Sequence, residues 1–506
     1  MRDLSGLNQK NDWATFLPAI SSFYTSTLGR QKINSNYHAQ SRIPSGFENG
    51  LEGMNFFNED KGYFYYDSAL YSAGHAVLDL NKNQDLDYMI YSRSKGKTAL
   101  VGDSGGFQIG KGVIKFDWEN FFEKKGDANY KGKADQTRLS ILRWLEATAD
   151  WSMTLDVPGW ACEGKNREMT GLNSFDECMK ATIHNNEFFE NNRVPGKTKF
   201  LNVLQGSNDE NADIWYEAVK NHNFEGWALG GAHTTDLAFA LRRIIIMRDE
   251  GMFEGKDWLH TLGTSKLDWA CGLTSIQRQI KKINPNFRLS FDCASPFIAT
   301  AKGLIYYMNS FENKRFSYLM CPFVDDKSFK GSITPLPFDS EIAKRLNMGD
   351  ICTYGPTDTN RLGKVGKSSW DTLSYAMMMS HNTYMHIRAV QNANALMDIE
   401  SKKLGVDYRD WKRTKRNDKS GEISEFVPQK VLYFNSFVEE LFASDKPMSM
   451  LNDAKLLLKE FSSDKRSTNQ IFGNLFSEEA TGIIEDSGFD ENDTALDDME
   501  RDIING

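Results

Sequence analysis

The amino-acid sequence predicts an α/β fold, a (β/α)8 TIM barrel with mainly helical extensions at its N-terminal and C-terminal ends. Three observations point there. Short apolar runs recur along the chain and stop abruptly at small or polar residues, as buried parallel strands do when they deliver their last residues into a site. Segments with apolar residues at helical spacing lie between those runs. The alternation repeats at roughly 25 to 50 residues, as successive βα units of a parallel sheet do. An open doubly wound sheet is the competing architecture, but the first strand lacks the GxGxxG turn expected of it.

Residues 1–60 mix polar and aromatic side chains with weak periodicity and read as an N-terminal extension with a helix or two. The barrel is expected over residues 61–400. Its first strand, Phe64–Ser72, leads into Ala73-Gly74-His75. Ala99–Gly102 leads to Asp103, Trp151–Leu155 to Asp156, and Phe200–Leu204 to Gln205-Gly206. Gly226–Leu229 leads to Gly230-Gly231, Trp258–Leu262 to Gly263-Thr264, and Phe287–Phe291 to Asp292. Helices are expected over Thr137–Ala149, Ser174–Phe189, Ala212–Asn221, Leu237–Arg248 and Leu267–Ile283. Seven such strands nearly fill an eight-stranded barrel, whose C-terminal strand ends all face one mouth. Beyond Asp292 the pattern weakens to one more strand at Tyr318–Val324 and a long helix at Trp370–Leu396. A basic, helical region (401–476) and an acidic end (477–506) follow.

At 506 residues the chain is long enough for a large core and more than one domain. Its 40% hydrophobic and 25% charged residues are those of a soluble globular protein. The net charge of -9 is concentrated at the acidic end, where eleven acids and one Arg lie between Ser477 and Gly506. The rest is close to neutral, so a polyanionic substrate is not excluded. Eight basic residues between Lys402 and Lys419, with Tyr408 and Trp411 among them, suit either phosphate binding or a solvated helix. No apolar run is long enough to span a bilayer, and the first residues do not read as a signal peptide. The six cysteines form no CxC or CxxC pair, which fits reduced thiols in a cytoplasm.

The stretch Asp103-Ser104-Gly105-Gly106-Phe107-Gln108 carries the densest chemistry. Asp103 suits acid–base or nucleophilic work, Phe107 can stack on a flat ring, and Gln108 can read hydrogen-bonding edges. Alone, the stretch reads first as a Gly-rich turn with an Asx cap, since turn chemistry by itself favours Asp, Ser and Gly. Together, DSGGFQ, the strand-end Asp156, LNVLQGS, GWALGGAH and LSFDC resemble the tRNA-guanine transglycosylase superfamily, in the same order, over about Phe64 to Arg388. Those enzymes exchange guanine in a polynucleotide for a 7-deazaguanine on a (β/α)8 barrel.

The resemblance implies roles. Asp292 matches the nucleophile, which would displace guanine and form a covalent aspartyl–sugar intermediate, the logic of retaining glycosyl transfer. Asp103 matches the general acid/base. Asp156 would accept from the Watson–Crick edge of guanine, with Ser104, Gln205 and the backbone of Gly230 and Gly231 on the remaining edges and Phe107 stacked on the ring. His233 and Asp236 are candidates to support that pocket.

The tRNA members carry CxCxxC followed by His next to Asn, a zinc site. This chain keeps His381-Asn382, but Cys352 stands alone, and one thiolate with one imidazole does not close a tetrahedral site. Cys321 and His386 could complete one only at an unusual spacing. No cofactor is therefore expected, and zinc is not. The missing cluster and the two extensions make the chain most like the phage-type DNA 7-deazaguanine transglycosylases, which place bases such as preQ0 in DNA and block restriction endonucleases. The expected partners are DNA and a free 7-deazaguanine base, with no membrane, in a cytoplasm (the host's, if the gene is viral). Flipped or single-stranded DNA is implied. A tRNA substrate is the alternative. A non-catalytic nucleic-acid-binding partner subunit and a glycoside hydrolase are alternatives of other classes.

Overall fold

The computed structural model describes residues 7–126, 130–359, 365–411 and 424–462, with the backbone of a short strand at Ile484–Glu485. Residues 412–419 of the basic stretch lie outside the described residues. So does the acidic end, apart from that strand's backbone.

Eight parallel strands form a nearly closed barrel. They are β1 (Thr15–Pro18), β2 (Ser68–Ser72), β3 (Ala99–Asp103), β4 (Trp151–Met153), β5 (Lys199–Leu204), β6 (Gly226–Leu229), β7 (Trp258–Thr261) and β8 (Arg288–Cys293). β2 to β8 correspond to the seven strands read from the sequence. The eighth, β1, comes from the stretch read as an extension. It pairs with β8, placing Leu17 opposite Asp292. On its other side it meets β2 through a bridge from Ala19 to Leu70, where Ile20 N–H donates to Leu70 O at 2.9 Å.

Strand side chains alternate in and out. Leu17, Leu70, Val101, Met153, Leu201, Val203, Ala228 and Trp258 form one buried cluster, the packed interior of the barrel. Phe16, Leu100, Phe200, Leu229, Leu259, Leu289 and Phe291 alternate with them and join the larger core under the helices. Residues two steps further along the inward faces therefore emerge at the mouth: Ser72, Asp103, Gln205 and Gly230, with Asp292 two beyond Ser290, while His260, level with Ser290, stays fully buried one layer below.

The surrounding helices run over Lys133–Thr148, Phe175–Asn192, Asp209–Val219, Leu237–Asp249 and Leu267–Ile283. Ser174, Asn208 and Asp236 start three of them by accepting backbone N–H groups of the first turn, the ordinary N-cap device. After β8 come a short helix (Ser295–Ala301) and an antiparallel hairpin of β9 (Leu304–Phe311) and β10 (Phe316–Pro322). A helix of 33 residues, Thr372–Leu404, opens with a capping box between Asp371 and Ser374. It packs on the short helix, the hairpin and the Leu267–Ile283 helix. Gln429–Ala443 packs on both Leu267–Ile283 and Thr372–Leu404. No helix among the described residues is long and apolar enough to cross a membrane.

Candidate active site

At the end of β8, Asp292 is 4% exposed. Its Oδ1 accepts from the Gly263 N–H at 3.0 Å and lies 3.0 Å from His260 Nε2. Oδ2 takes no hydrogen bond among the described residues. Its backbone carbonyl accepts from Thr264 N–H at 2.7 Å, so the turn after β7 holds both ends of the residue. Behind it, His260 Nδ1 lies 2.8 Å from Ser290 Oγ, which accepts from Trp258 Nε1 at 2.6 Å.

At the end of β3, Asp103 keeps some contact with solvent. Ser72 Oγ donates to its Oδ2 at 2.5 Å, while Gly74 N–H donates to Ser72 Oγ at 3.0 Å. Burial pushes the Asp103 carboxyl above its ordinary value. Ser72 and the Gly105 N–H pull it back, the charge of Asp292 adds to the rise, and His75 opposes it. The two carboxylates are thus neighbours in different surroundings. Asp103 sits where burial disfavours its ionised form, and Asp292 is held by two donors on one oxygen.

Asp156 and Gln205 form the adjoining wall. Gln205 Nε2 donates to Asp156 Oδ2 at 2.8 Å, with both side chains buried. Burial moves the Asp156 carboxyl from 3.8 to about 7. The Gln205 bond lowers it and the charge of Asp103 raises it further. Gly106 passes directly over this acid, and a Cβ there would come within 2.6 Å of both Asp156 O and Oδ1. Gly230 closes on Gln205 in the same way, with a Cβ due 2.6 Å from Nε2. Gly231 follows, opening a short turn over residues 231–234.

Phe107 is half-buried, its ring edge-on to Trp160 at 5.4 Å, and Lys111 lies over both rings. Gln108 is buried, its Nε2 at 3.1 Å from His75 Nε2. Ser104 is also buried, and its hydroxyl donates to Thr154 O at 3.0 Å inside the wall. That donor is committed to the fold. His233 does stand behind the pocket: it is buried, with Nδ1 2.8 Å from Gly230 O, and burial lowers its pKa to about 4. Asp236 instead caps the Leu237–Asp249 helix.

The structure therefore brings Asp103, Asp156, Gln205, Gly230 and Asp292 to one mouth. Sequence reasoning passed over Ser72, His75 and above all His260. The available signal was the two-residue step from Trp258 to His260, which puts both on the inward face.

Zinc does not fit the residues that the family pattern would use. His381 is buried with both nitrogens engaged, Nδ1 at 2.7 Å from Ser340 Oγ and Nε2 at 2.8 Å from Tyr306 O. Asn382 Nδ2 donates to Leu304 O and Thr300 Oγ1, and its Oδ1 accepts from Tyr306 N–H. Cys352 Sγ donates to Val324 O at 3.2 Å. His386 is stacked between Phe16 and Tyr318. Among the described residues no three His, Cys, Asp or Glu side chains converge as metal ligands. A surface groove of about 480 Å³ lies between the Lys133–Thr148 and Phe175–Asn192 helices, and none of the strand-end residues lines it.

No protein-family model matches the chain, and no curated protein matches its sequence.

Proposed function

We propose that this protein is a DNA-guanine transglycosylase, exchanging guanine in DNA for a free 7-deazaguanine base of the preQ0 type. The observation that carries the reading is the pair of unlike carboxylates: Asp292 organised through one oxygen with the other open, and Asp103 beside it in surroundings that favour its protonated form. Asp292 Oδ2 attacks C1′ of the target nucleoside as the C1′–N9 bond breaks. Asp103 gives its proton to the departing guanine. The incoming base then loses its N9 proton to Asp103 and attacks C1′, and the aspartyl–sugar C–O bond breaks. Two inversions retain the β-linkage. Asp156, once ionised, accepts from N1–H and N2–H of the base, with Gln205 and the Gly230–Gly231 backbone along the other edge and Phe107 against the ring. Ser104 supports that wall through Thr154. The engagement of His381 and Cys352 elsewhere supports the DNA branch over the zinc-bearing tRNA one. In viral DNA such a base would shield against restriction enzymes.

Incubation with labelled guanine or labelled preQ0, and separately with duplex DNA, single-stranded DNA and tRNA, tests the proposal. Label is expected in DNA. Label in tRNA alone overturns the DNA assignment, and free-base release without incorporation overturns exchange. Asp292→Ala should abolish incorporation, and a variant that kept it would exclude Asp292 as nucleophile.

A further inference from the structure

We infer that His260 is a positioning residue for Asp292, acting as a neutral imidazole and the last donor in a one-way chain of hydrogen bonds that runs Trp258, Ser290, His260, Asp292. The inference rests on the base-exchange reading for its catalytic meaning, but its geometry stands apart from it.

The direction of the chain follows from what each group can do. An indole N–H only donates, so at 2.6 Å Ser290 Oγ is the acceptor from Trp258. The Ser290 hydroxyl proton is then free to point at His260 Nδ1, 2.8 Å away, where it needs a lone pair. At its other edge the ring meets Asp292 Oδ1 at 3.0 Å. A carboxylate oxygen facing an unprotonated nitrogen would set two acceptors together, so Nε2 carries the proton. A neutral ring with its hydrogen on Nε2 satisfies all three contacts at once. A second proton on Nδ1 would need the Ser290 hydroxyl to turn away in a fully buried site, since Ser290 and His260 are both 0% exposed.

The register makes the chain possible. β7 and β8 pair with His260 opposite Ser290, so Trp258, His260, Ser290 and Asp292 share the inward face. The Gly263 N–H supplies the second donor to Oδ1. Both donors hold one oxygen, which restrains the carboxylate and leaves Oδ2 without a hydrogen bond among the described residues. Such an orienting bond acts in the transition state through alignment, in the manner of groups that hold a catalytic side chain in place.

The test combines kinetics with a spectroscopic readout. His260→Gln keeps an N–H donor in reach of Asp292, and His260→Met keeps bulk without a donor. Thermal unfolding of each variant first establishes that it folds. His260→Met should lower kcat for base incorporation about 10- to 1000-fold with KM for the free base changed less than about threefold, and His260→Gln should recover at least about tenfold of the loss. A fall confined to KM, or equal kcat in Gln and Met variants, would overturn the positioning role. Independently of activity, nitrogen-15 spectra of histidine-labelled protein should show His260, identified by its loss in His260→Gln, with hydrogen on Nε2, and Asp292→Asn should shift that signal. Hydrogen on Nδ1 alone would refute the chain. If wild-type protein exchanges no base while the spectrum matches, the functional reading fails and the hydrogen-bond chain stands.

Discussion

On the base-exchange proposal, Asp156 carries two demands that pull in opposite directions. To accept from the donor edge of guanine it would have to be ionised, yet burial lifts its carboxyl from 3.8 to about 7. The folded protein therefore holds a proton there that the unfolded chain releases between about pH 4 and pH 7. The stability it contributes is fully present below its unfolded value and is lost as pH rises through about 7. Asp156→Asn keeps the shape without the charge. It should unfold at nearly the wild-type temperature at pH 5 and a few degrees higher at pH 8, read by thermal melts at the two pH values. The same variant should bind base about 10- to 100-fold more weakly at pH 8, the worth of a hydrogen bond to a charged group. In the wild type, KM for the free base should fall as pH rises from 6 to 8. A flat KM profile would remove Asp156 from base recognition.

Among the elements, the Thr372–Leu404 helix secures the segment after the proposed nucleophile by means that need no metal. Asn382 ties the short Ser295–Ala301 helix to the start of β9, through Pro296 O, Thr300 Oγ1, Leu304 O and Tyr306 N–H. Removing the amide strands several buried polar groups, so Asn382→Ala should cost about 3 kcal/mol or more in urea unfolding. Prolonged treatment with a chelator should leave the wild-type midpoint unchanged, and a lowered midpoint would show that a bound metal supports the fold. The strands themselves were legible because seven of them are apolar runs ended by small or polar residues. β1 was not, because Thr15–Pro18 ends on a proline and runs on into Ala19 and Ile20, without the abrupt change of polarity that marks the other strand ends. His260 was hidden for a related reason: inside WLHTL a histidine reads as core. Only the β7–β8 register sets it opposite Ser290 and behind Asp292. The acids at the strand ends were legible because period two and the abrupt change of polarity are both local. Which oxygen of Asp292 is held, and that the Ser104 hydroxyl faces Thr154, are matters of tertiary packing.

At the scale of the molecule, the site depends on closing the barrel with the most N-terminal strand. β8 carries Asp292 and is flanked by β7 on one side and β1 on the other. Without β1, the outer edge of β8 and that of β2 would present unpaired N–H and C=O groups. The Ala19 N–H bond to Cys293 O and the Ile20 N–H bond to Leu70 O would be lost with it. Leu17, fully buried in the barrel interior, would leave a void beneath the mouth. A chain beginning at Ser21 should therefore fail to give soluble, monodisperse protein by size-exclusion chromatography. Leu17→Ala is the graded version: it should fold and lose about 2–5 kcal/mol of stability, keeping base exchange at temperatures well below its melt. Because β1 pairs with a strand some 270 residues away, this contact is among the most non-local in the fold, and closure should be a slow step in refolding. Soluble, active protein from the chain lacking β1 would mean that seven strands suffice to hold Asp292 in place. Aggregation of the truncated chain, with folding retained in Leu17→Ala, would assign the closing role to the strand's backbone rather than to one side chain.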